Sequence, residues 1–518
     1  MSQAITAEPM SALQPQQKAS RRDWIAIYAM MLGAFMAILD IQIINSSLAN
    51  IQGSLSATIS EGSWISTSYM IAEIVMIPLS GWLVTVFSLR RYLLWSVAGF
   101  IIFSGLCGLA WDLNSMIVFR ALQGIAVAPL IPLSFTLVRS RLSEAEQPKG
   151  MALFSFTIVF APAIGPSIGG WLTENYSWHL IFYLNVIPGL LMMYLLSYSL
   201  DRESMQLDKL KNADWLGILT LSLGLASLEF VLEEGNRNNW FQSHEITTMA
   251  IVTGLMLPVF VYLQLTHQNP LLNLRILKDR QFTLGVLANS AVGLAMFGSV
   301  FLLPVYLGQV QGYNALQIGE VMLWAGLPQL LVIPLLPLLM KHIDKRWLCL
   351  FGMALFTLSA WMNSNMSIDY AGDQFKLSLL VRAIGQPFIM VPLSVITMAK
   401  IGMKDIPSAS SLYNTSRNLS GAIGIAIVST MIDKRSSFHE VRIGESLAQF
   451  SHGVQQYFET LHNAMPQLSL EQQGALLMQQ VSRDASIMAF NDSFLFMAAI
   501  LGLGFFAILG MKADKVPS

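Results

Sequence analysis

The sequence predicts an all-α membrane protein, and three observations support this fold class. Charged residues make up 12% of the 518 positions and hydrophobic residues 54%, whereas a soluble globular protein has about 25% charged residues. The mean hydropathy is +0.56. The apolar residues gather in fourteen runs, each close to the roughly 20 residues that a spanning helix needs. This composition excludes a soluble enzyme, a nucleic-acid-binding protein with a basic face and a disordered scaffold.

The apolar runs define the expected elements in chain order. Residues 1–24 precede them as a polar tail, six runs within 25–198 predict one helical bundle, and two runs within 214–266 predict a helix pair. Six runs within 282–511 predict a second bundle, which includes a polar external loop at 433–492. Within this loop we expect short amphipathic helices around 454–461 and 471–481. The runs lie near 25–46, 63–86, 92–111, 115–138, 150–173, 179–198, 214–232, 246–266, 282–307, 317–340, 347–363, 376–399, 409–432 and 493–511.

The distribution of Lys and Arg predicts that both termini lie in the cytoplasm. Fourteen spans put the termini on one side of the membrane. The tails and loops of that side hold 21 of the 30 basic residues, the opposite loops hold 5, and 4 fall within the runs. Because cytoplasmic segments carry the excess of basic residues in membrane proteins, this asymmetry also supports the count of fourteen.

A short internal repeat relates the two six-helix bundles. Arg120–Leu122 and Pro132–Ser134 in the fourth run are matched by Arg382–Ile384 and Pro392–Ser394 in the twelfth, once a gap of two residues is allowed. Both stretches then lie on the fourth helix of their bundle. A repeated six-helix bundle is the design of many secondary transporters, and it makes 214–266 an inserted pair.

Ionisable residues inside the runs are the candidates for function, because a charge at the bilayer centre costs roughly 2.5–3.5 kcal/mol. At about 1.5 Å per helical residue, Asp40 lies about 22 Å from the inner face and Arg120 about 8 Å from the outer face. In a bilayer core about 30 Å thick, these two distances correspond to the same depth. Arg120 can therefore favour the ionised form of Asp40. Arg120 has an alternative role in tying helices together. Glu73 lies near mid-membrane, and Glu229 in the inserted pair is a weaker candidate.

A buried acid suits proton transfer, because burial brings a carboxyl group into the range where it takes up protons near neutral pH. Each charge that crosses 100 mV is worth about 2.3 kcal/mol, which can drive modest uphill export of a second solute. The proton gradient is therefore the expected energy source and no cofactor is expected. The two cysteines and seven histidines form no metal-ligand spacing. Arg382 and Arg417, in the second bundle, are expected to be structural.

Three motifs carry a resemblance to a known family. Leu39–Asn45 reads LDIQIIN, Phe119–Gly124 reads FRALQG, and Ala161–Gly170 reads APAIGPSIGG. With these motifs the chain resembles the fourteen-helix drug:proton antiporters of the major facilitator superfamily, specifically the EmrB/QacA type. The resemblance implies a major facilitator fold of two six-helix bundles plus two inserted helices. It also implies proton coupling through Asp40 and Arg120, to which we add Glu73.

The third motif is similar to the antiporter motif that distinguishes exporters among facilitators. Small residues around a proline let helices approach closely, and this is the physical content of the motif. Its members here are Gly165, Pro166, Gly169 and Gly170.

The chain departs from the family pattern at several positions. Gln42 stands where the first-helix motif usually has threonine, and Thr85 replaces an aspartate that normally helps to latch the two halves. The usual latch is therefore in doubt. A further segment also resembles the family, at Trp178, Phe182 and Asn185.

The first hypothesis for function is proton-coupled multidrug efflux of amphipathic, often cationic compounds across the inner membrane, by alternating access. The alternative is a proton-coupled exporter of a specific metabolite, siderophore or amino acid. A channel would show a selectivity ring and a membrane enzyme would show clustered His, Asp or Cys; the sequence has neither, so no enzyme activity is expected. Candidates for lining a substrate cavity are Asn45, Trp64, Tyr69, Gln123, Phe154, Tyr306, Trp324, Tyr413 and Asn414.

The expected partners are drugs and protons, with no nucleic acid. EmrB-like exporters work with a periplasmic adaptor protein and an outer-membrane channel, whereas QacA-like exporters work alone. The external loop 433–492 is either a solvated cap or a docking surface for such an adaptor.

Overall fold

A computed structural model describes residues 19–143, 145–211, 213–267, 270–402, 405–449 and 451–512, and these residues form helices and no strands. Fourteen long helical segments follow one another, each lying on one of the fourteen predicted runs. Those of the first half are α1 (Arg21–Ser54), α2 (Trp64–Phe87), α3 (Leu89–Cys107), α4 (Leu113–Arg141), α5 (Gln147–Asn175) and α6 (His179–Ser199). The next are α7 (Trp215–Glu234), α8 (His244–Thr266), α9 (Arg280–Gln309), α10 (Leu316–His342), α11 (Lys345–Met362), α12 (Gly372–Met398), α13 (Ile406–Gln449) and α14 (Leu470–Leu509).

Eleven of these segments are long and apolar enough to cross a membrane, and twelve if the bent helix α5 is one span. The two segments outside that set, α11 and α13, cover predicted runs but do not meet the same test of length and hydropathy among the described residues. The chain is thus a multi-pass membrane protein, whereas fourteen spans and cytoplasmic termini stay predictions.

Local sequence signals explain where these helices begin and bend. The hydroxyl of Ser20 accepts from the Asp23 backbone N–H at 3.2 Å while the Asp23 carboxylate accepts from the Ser20 N–H at 3.0 Å, so a capping box starts α1. Asp112 caps α4 in the same way. Prolines interrupt the backbone ladder: α4 breaks beside Pro129, and α5 bends by 40° at Pro162.

The helices pack as two bundles with a pair beside them. In the first bundle α1 contacts α5 and α6, α2 contacts α4, and α3 contacts α4 and α6. In the second, α9 contacts α13 and α14, and α11 contacts α12 and α14. The pair α7–α8 packs together, and α7 lies against α2 and also touches α13.

The halves meet along two seams, α5 against α10 and α12, and α13 against α2 and α4. Three hydrogen bonds join the halves where α4 ends and α13 begins. The Ser410 hydroxyl donates to the Pro132 carbonyl at 2.9 Å, Ser411 donates to the Ile77 carbonyl at 3.3 Å, and Arg139 donates to the Met398 carbonyl at 2.7 Å. These bonds hold the two halves together at this end of the interface.

The segment predicted as an external loop is helical. α13 has 44 residues and α14 has 40, so at about 1.5 Å per residue each is about 60 Å long, twice the thickness of a bilayer core. A separate helix, Ser451–Ala464, lies between them. One predicted amphipathic helix corresponds to Ser451–Ala464, while the second, at 471–481, is continuous with α14.

Candidate functional site

The structure brings Asp40 of α1 and Arg120 of α4 into a buried ion pair. Arg120 Nη1 lies 2.7 Å from Asp40 Oδ2, and the two residues are 1% and 3% exposed. The rise per helical residue predicted that these two side chains lie at the same depth in the membrane. The packing of α1 against α4 brings them into direct contact. Arg120 Nε also donates to the carbonyl of Ile65 on α2 at 3.1 Å. The guanidinium therefore links three helices of the first half.

Two amides complete the shell of the Asp40 carboxylate. Gln123 Nε2 donates to Asp40 Oδ1 at 3.1 Å, and its Oε1 accepts from Arg120 Nη1 at 2.7 Å. Asn185 of α6 donates to the same Oδ1 at 2.7 Å and to the Ser104 hydroxyl at 3.1 Å. Both carboxylate oxygens thus accept hydrogen bonds from side-chain donors, as buried polar atoms generally do.

Asn185 and Ser104 are members of this site that sequence reasoning missed. In the sequence, Asn185 belongs to a segment that resembles the family, and nothing there links it to Asp40. A signal was present, because an amide inside an apolar run must find a polar partner when it is buried. Which partner it finds depends on how α6 packs against α1, and hydropathy does not encode that geometry.

Tyr69 of α2 covers the other side of the arginine. Its ring centroid lies 4.0 Å from Arg120 Cζ, a cation–π distance, and its hydroxyl donates to the Ala37 carbonyl at 3.5 Å. Tyr69 is fully buried. Two predicted cavity residues, Tyr69 and Gln123, are therefore neighbours of the ion pair.

Two further buried acids lie beside this network, Glu73 on α2 and Glu229 on α7. They are 7% and 2% exposed, and neither makes a hydrogen bond or ion pair with a residue that the structure describes; the Oε2 atom of Glu229 is fully enclosed. Thr67 donates to Glu234 Oε1 at 3.3 Å and sets the register of α2 against α7. Glu73 lies six residues from Thr67 and Glu229 five from Glu234, so both are about 8–9 Å deeper than this contact.

Glu234 differs from these two acids because it has partners. Its carboxylate accepts from the hydroxyls of Ser63 and Thr67 at 3.1 and 3.3 Å, and Arg237 lies 3.3 Å away. The inserted pair is thus joined to α2 by polar contacts. Asn236 also donates to Asp433 Oδ2 of α13 at 2.6 Å, so the loop of the pair contacts both halves.

The antiporter motif lies in α5 where this helix approaches α1. A Cβ atom added at Gly165 would lie 2.5 Å from the Cβ of Gln42, closer than side-chain carbons pack. The Ser47 hydroxyl donates to the Gly169 carbonyl at 3.4 Å. Pro166 lies between these glycines and Gly170 is buried beside them. The motif therefore forms a close helix contact within the first half.

The remaining cavity candidates do not surround one space. Phe154 and Tyr413 both pack on Phe135, with ring centroids 5.6 and 5.5 Å away. Trp64 packs on Phe230 of α7 at 5.6 Å. The others lie in the second half: Tyr306 donates to the Tyr370 carbonyl at 2.9 Å, Trp324 is 43% exposed beside Lys376, and Asn414 donates to the Ser410 carbonyl at 2.8 Å. The side chain of Asn45 falls outside the described part of the chain.

No group of three His, Cys, Asp or Glu side chains in the described ranges could hold a metal ion. Cys107 and Cys349 are free and buried. The polar groups of the site are thus one ion pair, its amide shell and two unpaired acids.

The chain is similar to known proteins in sequence and in fold. The sequence profile of the Major Facilitator Superfamily matches residues 30–425. The colistin resistance protein EmrB of Acinetobacter baumannii is 34% identical over 95% of this chain and 97% of its own length. The multidrug export protein EmrB of Escherichia coli K12 is 30% identical over 93% and 95%. Among solved structures, the human organic anion transporter MFSD10 aligns with a TM-score of 0.58 at 12% identity, over 96% of this chain and all of the other.

Proposed function

Because this chain belongs to the Major Facilitator Superfamily, we propose that it is a proton-coupled multidrug exporter of the inner membrane. The proposal includes fourteen spans with both termini in the cytoplasm. The export of drugs rests on the relatives that carry that function in their names. The observation that supports proton coupling is the ion pair of Asp40 and Arg120, buried with its amide shell in the first half.

The chemistry of this pair suggests how a proton can drive movement. Ionised Asp40 holds α1 to α4 and α6 through Arg120, Gln123 and Asn185. A proton that reaches Asp40 removes the charge that Arg120 faces and weakens these bonds. Helices α1 and α4 are then free to shift, and loss of the proton on the other side restores the pair. A charge that moves through 100 mV contributes about 2.3 kcal/mol to this cycle.

Cargo recognition is the second part of the proposal. Glu73 is buried, has no partner among the described residues, and lies one helical turn from Tyr69, whose ring contacts Arg120. An unpaired acid at this depth favours cationic cargo, because a cation replaces the missing partner. Aromatic side chains nearby, including Phe135 and Tyr413, offer apolar contacts at the interface of the halves.

A periplasmic adaptor is a further part of the proposal. Support comes from α13 and α14, which are too long to end at the membrane surface, and from the helix Ser451–Ala464 between them. They also carry exposed apolar side chains, such as Val441 and Leu470, at 61% and 75%. Such side chains on a projecting helical surface suit contact with another protein.

The experiment that tests proton coupling uses purified protein in sealed vesicles with a trapped pH dye. Adding a drug that the parent transports should release protons from the parent and not from Asp40→Asn. The matched control is Asp208→Asn, since this exposed aspartate lies outside the site. Proton release at the parental rate from well-folded Asp40→Asn would reject the role of Asp40. The assay uses the exporter alone, so its result does not depend on an adaptor.

A further inference from the structure

The second half contains a buried arginine without a partner. Arg382 lies ten residues into α12, is 5% exposed, and makes no hydrogen bond or ion pair with any residue that the structure describes. Its Nε atom is enclosed and has no hydrogen-bond partner among the described residues. The guanidinium lies near the ring of Phe356, whose centroid is 5.4 Å from the arginine Cζ. A guanidinium stays charged in proteins, so this positive charge is uncompensated in an apolar bundle.

The first half shows what such an arginine requires. Arg120 occupies the matching place in the internal repeat and has a carboxylate, an amide and a backbone carbonyl as partners. Asp40, which supplies the carboxylate, lies 19 residues after the first residue of α1, Arg21. The residue 19 positions after the first residue of α9, Arg280, is Ser299. Ser299 borders the same cavity as Arg382, so a serine lies near this arginine, whereas the first half has an acid beside Arg120.

A cavity lies where the missing carboxylate would be. The cavity is small, with about 10 Å³ available to the centre of a water-sized particle, and it is bordered by Ser299 of α9, Asn363 at the end of α11, Arg382 of α12 and Phe494 of α14. These helices are the counterparts of α1, α3, α4 and α6, which hold the Asp40 site. Arg382 thus borders a cavity in the region of the second half that corresponds to the Asp40 site of the first half.

We propose that this cavity binds a monovalent, monoatomic anion, chloride, which pairs with Arg382. The ion takes the place that Asp40 fills in the first half and neutralises a charge that is otherwise costly inside a membrane. This inference concerns the second half and does not depend on proton coupling by Asp40.

The lining of the cavity favours a halide over an oxyanion. The Ser299 hydroxyl already donates to the Ala295 carbonyl at 2.6 Å, and the Ser359 hydroxyl donates to the Ser378 carbonyl at 2.7 Å. Few donors remain apart from Arg382 and the Asn363 side chain, whose Oδ1 has no partner among the described atoms. Phosphate or sulfate would leave several oxygens without donors in an apolar pocket.

The test measures the thermal stability of the purified full-length protein while chloride replaces gluconate at constant ionic strength. A ligand that binds the folded state raises Tm with its concentration, and for an ion that binds at millimolar concentration we expect a rise of roughly 5 °C between 1 and 100 mM. Line broadening of the chloride-35 NMR signal by the parent protein measures binding directly. Sulfate in place of chloride should give no rise.

Three variants make the test specific. Ser299→Asp places a carboxylate at the position equivalent to Asp40, so it should keep the fold, raise Tm in gluconate and lose the response to chloride. Ser299→Ala leaves the cavity open and adds no charge, so it should keep the response. Arg382→Gln should abolish both the response and the line broadening.

Two results would overturn the anion site. One is a parent protein whose Tm and chloride signal do not change with chloride, which indicates water in the cavity. The other is an equal chloride response in Ser299→Asp and Ser299→Ala. A sulfate effect as large as that of chloride would reject the halide assignment.

Discussion

Replacing Arg120 by glutamine, and Asp40 by asparagine, separates the parts of the buried ion pair. Arg120→Gln leaves the Asp40 carboxylate with its two amide donors and without its cation, and also removes the bond to the Ile65 carbonyl. Asp40→Asn leaves the guanidinium charged and places an amide N–H or a neutral carbonyl before it. The double variant Asp40→Asn/Arg120→Gln has no charge in the site, and its side-chain amides can bond to each other.

The expected magnitudes come from the burial of the pair. Removing one partner of a buried ion pair costs about 3–5 kcal/mol, because the remaining charge is left uncompensated. At about 2–4 °C per kcal/mol for a large domain, each single variant should lose roughly 6–20 °C in Tm. The double variant should lose less than the sum of the singles, with a coupling energy of about 2–3 kcal/mol.

The assay is thermal unfolding of the purified proteins in one detergent, followed by tryptophan fluorescence at a fixed heating rate. The matched control is Arg442→Gln, which breaks the ion pair of Arg442 with Glu445. The two side chains are 67% and 56% exposed, and exposed pairs contribute about 0–1 kcal/mol. Its Tm should therefore fall by only a few degrees.

Additive losses in the double variant would refute the reasoning, because they would show that Asp40 and Arg120 do not stabilise each other. Parental stability of Asp40→Asn would also contradict it. That result would mean that a neutral group at position 40 satisfies Arg120 as well as a carboxylate does.

Two further predictions concern cargo and the helix seam. Glu73→Gln should reduce efflux of a lipophilic cation such as ethidium more than efflux of a neutral drug, because it removes an unpaired buried acid. The control is Glu245→Gln, which changes an exposed acid of the inserted pair. Equal efflux of both classes at parental rates, measured in energised cells, would return Glu73 to a structural role. Gly165→Leu should abolish or uncouple export, because a side chain there collides with Gln42, whereas Gly254→Leu faces open space and should export normally. Parental export by Gly165→Leu at matched expression would show that α5 is not a tight seam.

The sequence alone was enough to predict the membrane class, the positions of the long helices and the common depth of Asp40 and Arg120. These properties depend on hydropathy along the chain, a constant rise per helical residue and the thickness of a bilayer. All three are local or fixed quantities, so one sequence suffices to read them. The family motifs in α1, α4 and α5 likewise occupy continuous stretches. The roles of Glu73 and of the antiporter motif stay predictions.

The packing of the helices in the tertiary structure determines which side chains come into contact. It placed Asn185 on Asp40 and put Glu229 at the depth of Glu73. It separated Tyr306 and Trp324 from the first-half site, and it placed Arg382 at the wall of a small cavity. The direction of a side chain around its helix, and the neighbour it faces, depend on how helices distant in sequence pack against one another. Hydropathy in a membrane helix hardly changes between a face toward lipid and a face toward another helix, so these contacts exist only in the packed fold.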